Sequence, residues 1–116
     1  MFGMVEDYRK NAEENQEVFR NILKDIKKNR YYRPFASGIP DTFNIEDSVN
    51  EIYEKYSRGD RHGIFTICNF RMKKEDTAIL EIADVATLSG GGAELKYNVN
   101  KDKSIKYTGT GAVFRS

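Results

Sequence analysis

The sequence of 116 residues has little of the residue types that form disulfides or bind metals. Cys68 is the only cysteine, which excludes an internal disulfide framework and indicates a buried thiol in a reducing compartment. His62 is the only histidine, so a metal site would need Cys68 and carboxylates at spacings that match no known motif. We therefore expect no metal, no cofactor and a cytoplasmic location.

An excess of one charge and a long hydrophobic run are also missing. Lys and Arg together number 19 and Asp and Glu 18, so no overall field directs the chain toward nucleic acid or an anionic membrane. The first residues lack the basic and apolar parts of a signal peptide, and no segment reaches membrane-spanning length. We expect neither nucleic-acid nor membrane binding, while a leader that was cleaved before Met1 stays open.

Apolar residues make up 39% of the chain and prolines number two, which is typical of a folded protein of one domain, residues 1–116. Apolar positions recur at helical spacing over about 4–30, with acidic residues early and basic residues late. The prolines indicate a loop over 31–43. A second helix is predicted over about 44–58, with Asn44 as its N-cap and Gly59 after its end.

Beyond Gly59 the pattern is typical of strands, which we predict over about 62–72, 77–88, 93–100 and 104–115. Short polar turns join them into two hairpins, and the simplest topology is an antiparallel meander with both helices on one face. The fold class is therefore α+β. This layout is similar in architecture to the cystatin-like and NTF2-like folds, although no motif carries the resemblance.

The first two strands have apolar residues at both parities, Phe70 and Ile67 in the first and Leu80 and Ile79 in the second. One layer of helices covers only one face of a sheet, so the other face needs a second cover. A second protomer would provide it, and we expect a homodimer. The alternative is that the first helix or the 31–43 loop covers this face.

Asp84 is the one candidate catalytic residue, because it shares parity with Leu80 and Ile82 in the predicted second strand. A carboxylate in an apolar layer has a raised pKa and could act as an acid or base. A bulge that turns Asp84 to solvent, or an Arg or helix N-terminus beside it, would remove that role. The residues that could line a pocket with it between helices and sheet are Tyr53, Tyr56, Phe70 and Tyr97.

Two arginines flank two tyrosines at the end of the first predicted helix: Arg30, Tyr31, Tyr32 and Arg33. Such a run can bind a protein partner through tyrosine and arginine, stack on nucleic-acid bases, or be a solvated helix end. We predict a non-enzymatic binding or interaction protein, homodimeric, with these four residues as its binding site. The alternative is a small-molecule-binding or weakly catalytic NTF2-like domain whose pocket contains Asp84.

Overall fold

The structure, a computed structural model, describes residues 6–28, 43–57, 65–84 and 91–114; at positions 65, 83–84, 91–92 and 112–114 it describes the backbone alone. The helices are α1 (Arg9–Glu14), α2 (Gln16–Lys28) and α3 (Val49–Tyr56), and the strands are β1 (Phe65–Lys74), β2 (Thr77–Asp84), β3 (Gly91–Val99) and β4 (Ile105–Phe114). The strands form one antiparallel sheet in the order β1-β2-β3-β4. The predicted α+β meander is confirmed.

The first helical segment is interrupted at Asn15, where the backbone leaves helical geometry (φ −132°, ψ 44°). Asparagine competes with the helix for backbone partners, and here its side chain donates to the Asn11 carbonyl oxygen at 3.0 Å. The break separates two packing roles, since α1 contacts α3 and β1 whereas α2 contacts β4. The single helix predicted over 4–30 is therefore two helices within its described part.

The last helix begins later than predicted, at Val49, with Ser48 as its N-cap. Ser48 Oγ accepts from the Glu51 backbone N–H (3.2 Å), and the Glu51 carboxylate accepts from the Ser48 backbone N–H (3.5 Å). This reciprocal pair is a capping box, which satisfies two N–H groups that would otherwise lack partners. Asn44 caps a preceding turn instead, where its side chain accepts from the Glu46 N–H at 3.0 Å.

The core lies between the helices and one face of the sheet. Ala78, Leu80 and Ile82 of β2 and Leu95 and Tyr97 of β3 alternate toward it, as the period of a strand requires. The largest helical contributions come from residues that are essentially unexposed: Tyr8, Phe19, Ile22, Leu23, Ile26 and Ile52. None of the described helices is both long enough and apolar enough to cross a membrane.

Strand β1 contains an irregularity that changes which residues face the core. Ile67 pairs with Ile82 and Asn69 with Glu81, so Cys68 is an extra residue, a β-bulge. The bulge shifts the alternation by one position, and Ile67 and Phe70 both join the helix-facing core. The prediction that they lie on opposite faces of the sheet is wrong, because it assumed an unbroken period of two.

Candidate functional site

The predicted binding site at the end of the first helix, Arg30, Tyr31, Tyr32 and Arg33, lies outside the described residues. Asp84 is the last residue of β2 and pairs with Phe65 of β1. Its side chain also lies outside the described part of the molecule. Both predictions therefore stay predictions.

The other predicted pocket residues occupy separate places in the core and at its margin. Phe70 and Tyr97 are fully buried, and their rings contact those of Phe19 (5.1 Å between centroids) and Tyr107 (5.7 Å). Tyr53 and Tyr56 are half-buried on α3; Tyr53 contacts Tyr8 (5.2 Å) and the Arg9 guanidinium (4.4 Å), and Tyr56 contacts Phe43 (4.6 Å). Each of the four rings is thus already packed against another ring.

Tyr8 is a buried ionisable residue where α1 meets the end of α3. Burial raises its pKa above the ordinary value for tyrosine, and its hydroxyl shares a short hydrogen bond with Ser57 Oγ. A tyrosine in this state stays neutral over the physiological range. The hydrogen bond between Tyr8 and Ser57 holds the start of α1 against the end of α3.

The face of the sheet opposite the helices is covered within the single chain around β1 and β2. Thr66, Ile79 and Glu81 point to this face and are between 1% and 4% exposed. Arg71 bridges two carboxylates there, with its guanidinium 3.0 Å from Glu94 and 4.0 Å from Glu81. Among these three positions Ile79 is the one apolar residue, and it is buried. At these positions the second face of β1 and β2 is therefore not the exposed apolar surface that the sequence predicts.

The edge of the sheet formed by β1 is covered and irregular. The Glu6 backbone N–H donates to the Cys68 carbonyl oxygen (2.9 Å), and the Asn11 side chain donates to that of Phe70 (3.2 Å). The bulge at Cys68 bends this strand, and three cations follow on it: Arg71, Lys73 and Lys74. Bulges, charges and covering segments are the devices by which natural sheets prevent another strand from pairing with an edge.

At the opposite edge, formed by β4, no described segment pairs with the middle of the strand. Thr108 and Thr110 are exposed, and β4 is paired only with β3 in the described sheet. Lys96 pairs with Gly109 and Tyr97 with Tyr107, so Thr108 is an extra residue, and its hydroxyl donates to the Lys96 carbonyl oxygen (3.0 Å). Beyond that bulge the register is regular over 109–114, six residues without a charge.

Two glycines leave the outer face of this edge bare. Gly109 stands opposite Lys96 and Gly111 opposite Glu94, on the face away from the helices. A Cβ atom built on either glycine meets no atom within 4 Å, and neither glycine has a φ in the left-handed region that favours glycine. Neither crowding nor backbone geometry within the chain therefore requires glycine here. Glycine inside a strand also occurs where another backbone approaches closely.

An open cleft of about 720 Å³ lies at the end of the sheet where both hairpin turns meet. Met72 and Val99 form its apolar floor, and Lys74, Lys101 and Lys103 are among its polar walls. The carboxylates of Glu75 and Asp76 line the same cleft, so the lysine charges are partly balanced. This balance gives the cleft no clear preference for an anionic ligand.

The strand predicted over about 104–115 contains Gly109 and Gly111, and both glycines do belong to β4 in the structure, beside a bulge at Thr108. The sequence does not show which edge of the sheet is covered, so it gave no reason to expect a binding site at this strand. Comparison of the chain with protein-family models, with curated proteins and with solved structures gives no match. The function must therefore be argued from the geometry alone.

Proposed function

We propose that this chain is a small, non-enzymatic interaction protein that binds an extended segment of its partner as an additional strand beside β4. The observation that carries the proposal is the contrast between the two edges of one sheet. The β1 edge is bulged, charged and covered by Glu6 and Asn11, whereas six regular, uncharged residues over 109–114 form the β4 edge. Strand addition uses such an edge.

A homodimer is the second form that this function can take. The sequence points to the second face of β1 and β2 as the dimer surface, but Ile79 is buried in the single chain (2% exposed). The surface that supports a dimer is instead the β4 edge, where two copies could pair antiparallel and extend the sheet. Sedimentation equilibrium of the full chain tests this form directly.

The alternative function, a small-molecule or weakly catalytic pocket containing Asp84, has less support. Phe70 and Tyr97 are fully buried in ring contacts, so two of the five predicted lining residues would have to move to admit a ligand. A ligand pocket is usually formed before the ligand binds.

Strand addition can be tested with short extended peptides and the isotopically labelled full chain. Heptapeptides are selected from a random library on the immobilised chain, and the amide hydrogen exchange of the labelled chain is then followed with each peptide bound. We expect new protection at alternate amides over 109–114, because every second backbone N–H of an edge strand points outward. We also expect loss of binding when alternate peptide nitrogens are methylated.

The same exchange map provides the control, since α3 lies far from this edge in the fold. Peptides that protect residues 49–56 instead, or that bind equally well after methylation, would show that binding does not use strand addition. Protection over 109–114 that rises with protein concentration, without peptide, would assign the edge to a second copy.

A further inference from the structure

We propose that the segment added beside β4 carries an Asp or Glu side chain, which Lys96 binds by reaching across Gly109. This inference rests on the proposed function, strand addition at β4, and specifies its partner. It concerns the outer face of the sheet, the face away from the helices. On this face, residues that are paired from one strand to the next form a row across the four strands.

Lys96 occupies the right position for this contact. It alternates with the buried Leu95 and Tyr97, so its side chain points away from the helices, and it is exposed. The row to which it belongs runs Arg71, Ile79, Lys96, Gly109, from β1 to β4. An added strand would continue this row immediately beyond Gly109.

The sheet already contains the required geometry at its other side. Arg71 of β1 meets the carboxylate of Glu94 on β3, at 3.0 Å, across the intervening strand β2. Two strand spacings, about 10 Å, separate β1 from β3, and the same distance would separate β3 from an added strand. A long cationic side chain thus spans one strand to a carboxylate in the neighbouring row, and Lys96 would do the same across β4.

Gly109 leaves room for the Lys96 side chain to cross β4. Its Cβ position has no atom within 4 Å, so the Lys96 stem can lie along the bare backbone of β4. Side chains of most residues at position 109 would fill this path. The fold itself does not require glycine at position 109. A Lys96 side chain that crosses β4 at this position would account for it.

The charges along the outer face favour an acidic segment over a second copy. The Glu94 carboxylate is engaged by Arg71, while Lys96 and Lys106 are exposed and, among the described residues, neither has an ion-pair partner. Between 105 and 114 β4 contains one charged residue, Lys106, and no carboxylate. In two copies paired through β4, the β4 strand of the second copy would therefore offer Lys96 no carboxylate.

The test uses three synthetic peptides of one design: acetyl-TVTETVT-amide and its analogues with Gln or Lys in place of the central Glu. Binding to the full chain is measured by fluorescence anisotropy of labelled peptides at low salt. An exposed ion pair of this kind changes affinity about two- to fivefold. We expect the Glu peptide to bind tighter than the Gln peptide by that factor, and the Lys peptide to bind weakest.

Charge reversal at the lysine makes the test specific. In Lys96→Glu the order should invert, with the Lys peptide now preferred, and 1 M NaCl should remove most of either preference. Lys101→Glu is the matched control: it makes the same change in net charge on an exposed residue of the β3–β4 turn. The control should keep the preference for the Glu peptide.

The outcomes separate this inference from the proposed function. Equal affinity for the three peptides, with protection over 109–114, would keep strand addition and overturn the acidic preference. An equal effect of Lys96→Glu and Lys101→Glu would also overturn it, since only net charge would matter. Binding that survives methylation of the peptide backbone would overturn the proposed function itself. A concentration-dependent dimer that excludes all three peptides would assign the edge to a second copy and overturn the acidic partner.

Discussion

The hydroxyl of Tyr97 donates a hydrogen bond to the Asp25 carboxylate at 3.0 Å, and so joins the centre of the sheet to α2 across 72 positions of the sequence. Tyr97 is fully buried, and Asp25 lies at the margin of the core. Hydrogen bonds to charged groups are stronger than those between neutral groups. This bond therefore fixes the helix on the sheet in addition to the apolar packing beside it.

Removal of that hydroxyl in Tyr97→Phe should lower the free energy of unfolding by about 1.5–3 kcal/mol, because the ring stays packed while the bond to a charged acceptor is lost. Urea unfolding followed by circular dichroism measures the change. Tyr107→Phe is the matched control, since the Tyr107 hydroxyl meets the exposed Thr110 and its loss should cost under about 1 kcal/mol. Equal losses in the two variants would show that the bond to Asp25 contributes nothing special.

The β3–β4 turn contains the one described non-glycine residue with a positive φ, Lys103 at 71°. A side chain in this left-handed region is strained, and glycine relieves the strain. Lys103→Gly should therefore stabilise the protein by about 0.5–1 kcal/mol, less than the full strain because glycine also increases the entropy of the unfolded chain. Thermal unfolding measures it. Lys101→Gly, in the same turn but without a positive φ, should be neutral or destabilising, and stabilisation by both would contradict the explanation.

The buried hydroxyl of Tyr8 makes stability depend on pH in the alkaline range. An unfolded tyrosine loses its proton near pH 10, whereas burial raises the pKa of Tyr8 in the folded protein. The stabilisation is complete below pH 10 and is lost as pH rises, because the unfolded chain then holds fewer protons. The slope is about 1.4 kcal/mol per pH unit for one group.

This contribution is isolated by comparing the native chain with Tyr8→Phe, since the other titrating groups are common to both. At pH 8 the variant should be less stable, because the buried Ser57 hydroxyl loses its hydrogen bond with the Tyr8 hydroxyl. Between pH 10 and 11.5 the difference in unfolding free energy should shrink. Parallel pH profiles for the two proteins would show that Tyr8 titrates normally.

The meander and its helical cover could be predicted because each strand pair is local and each turn is polar. The break at Asn15 could be suspected from its weak position in the apolar pattern, but its place depends on tertiary contacts, such as the bond from Asn11 to the Phe70 carbonyl oxygen. The bulge at Cys68 has no signal in the sequence that separates it from a regular strand. One inserted residue therefore reversed the predicted face of Ile67 relative to Phe70.

The candidate site was harder to predict than the fold, for a related reason. An open edge is a property of the sheet order and of what covers each end, and neither follows from the residues of β4 alone. Gly109 and Gly111 are typical of turns in a sequence, and only the register with Lys96 and Glu94 shows that they form a bare strip on a strand.

Because no described strand pairs with the outer edge of β4, proline should have different effects on stability at two adjacent positions, Thr110 and Gly111. Successive backbone N–H groups of a strand point alternately toward its neighbour and away from it. One of the two, Thr110→Pro or Gly111→Pro, therefore removes a hydrogen bond to β3 and should lower the free energy of unfolding by about 1–3 kcal/mol, because an acceptor on β3 loses its donor. The other variant removes only an outward backbone N–H group. Its free energy of unfolding should lie within about 1 kcal/mol of that of the native chain, because proline is tolerated on an edge strand.

The stable member of this pair should lose peptide binding while it keeps the native circular dichroism spectrum, because proline blocks the outward hydrogen bond that an added strand needs. Thermal unfolding of both variants, with binding measured on the stable one, checks this. If both prolines destabilise equally, the one outward N–H group of this pair of residues is already engaged and the edge is closed there. If the stable variant still binds peptide with native affinity, the partner does not pair with β4 there.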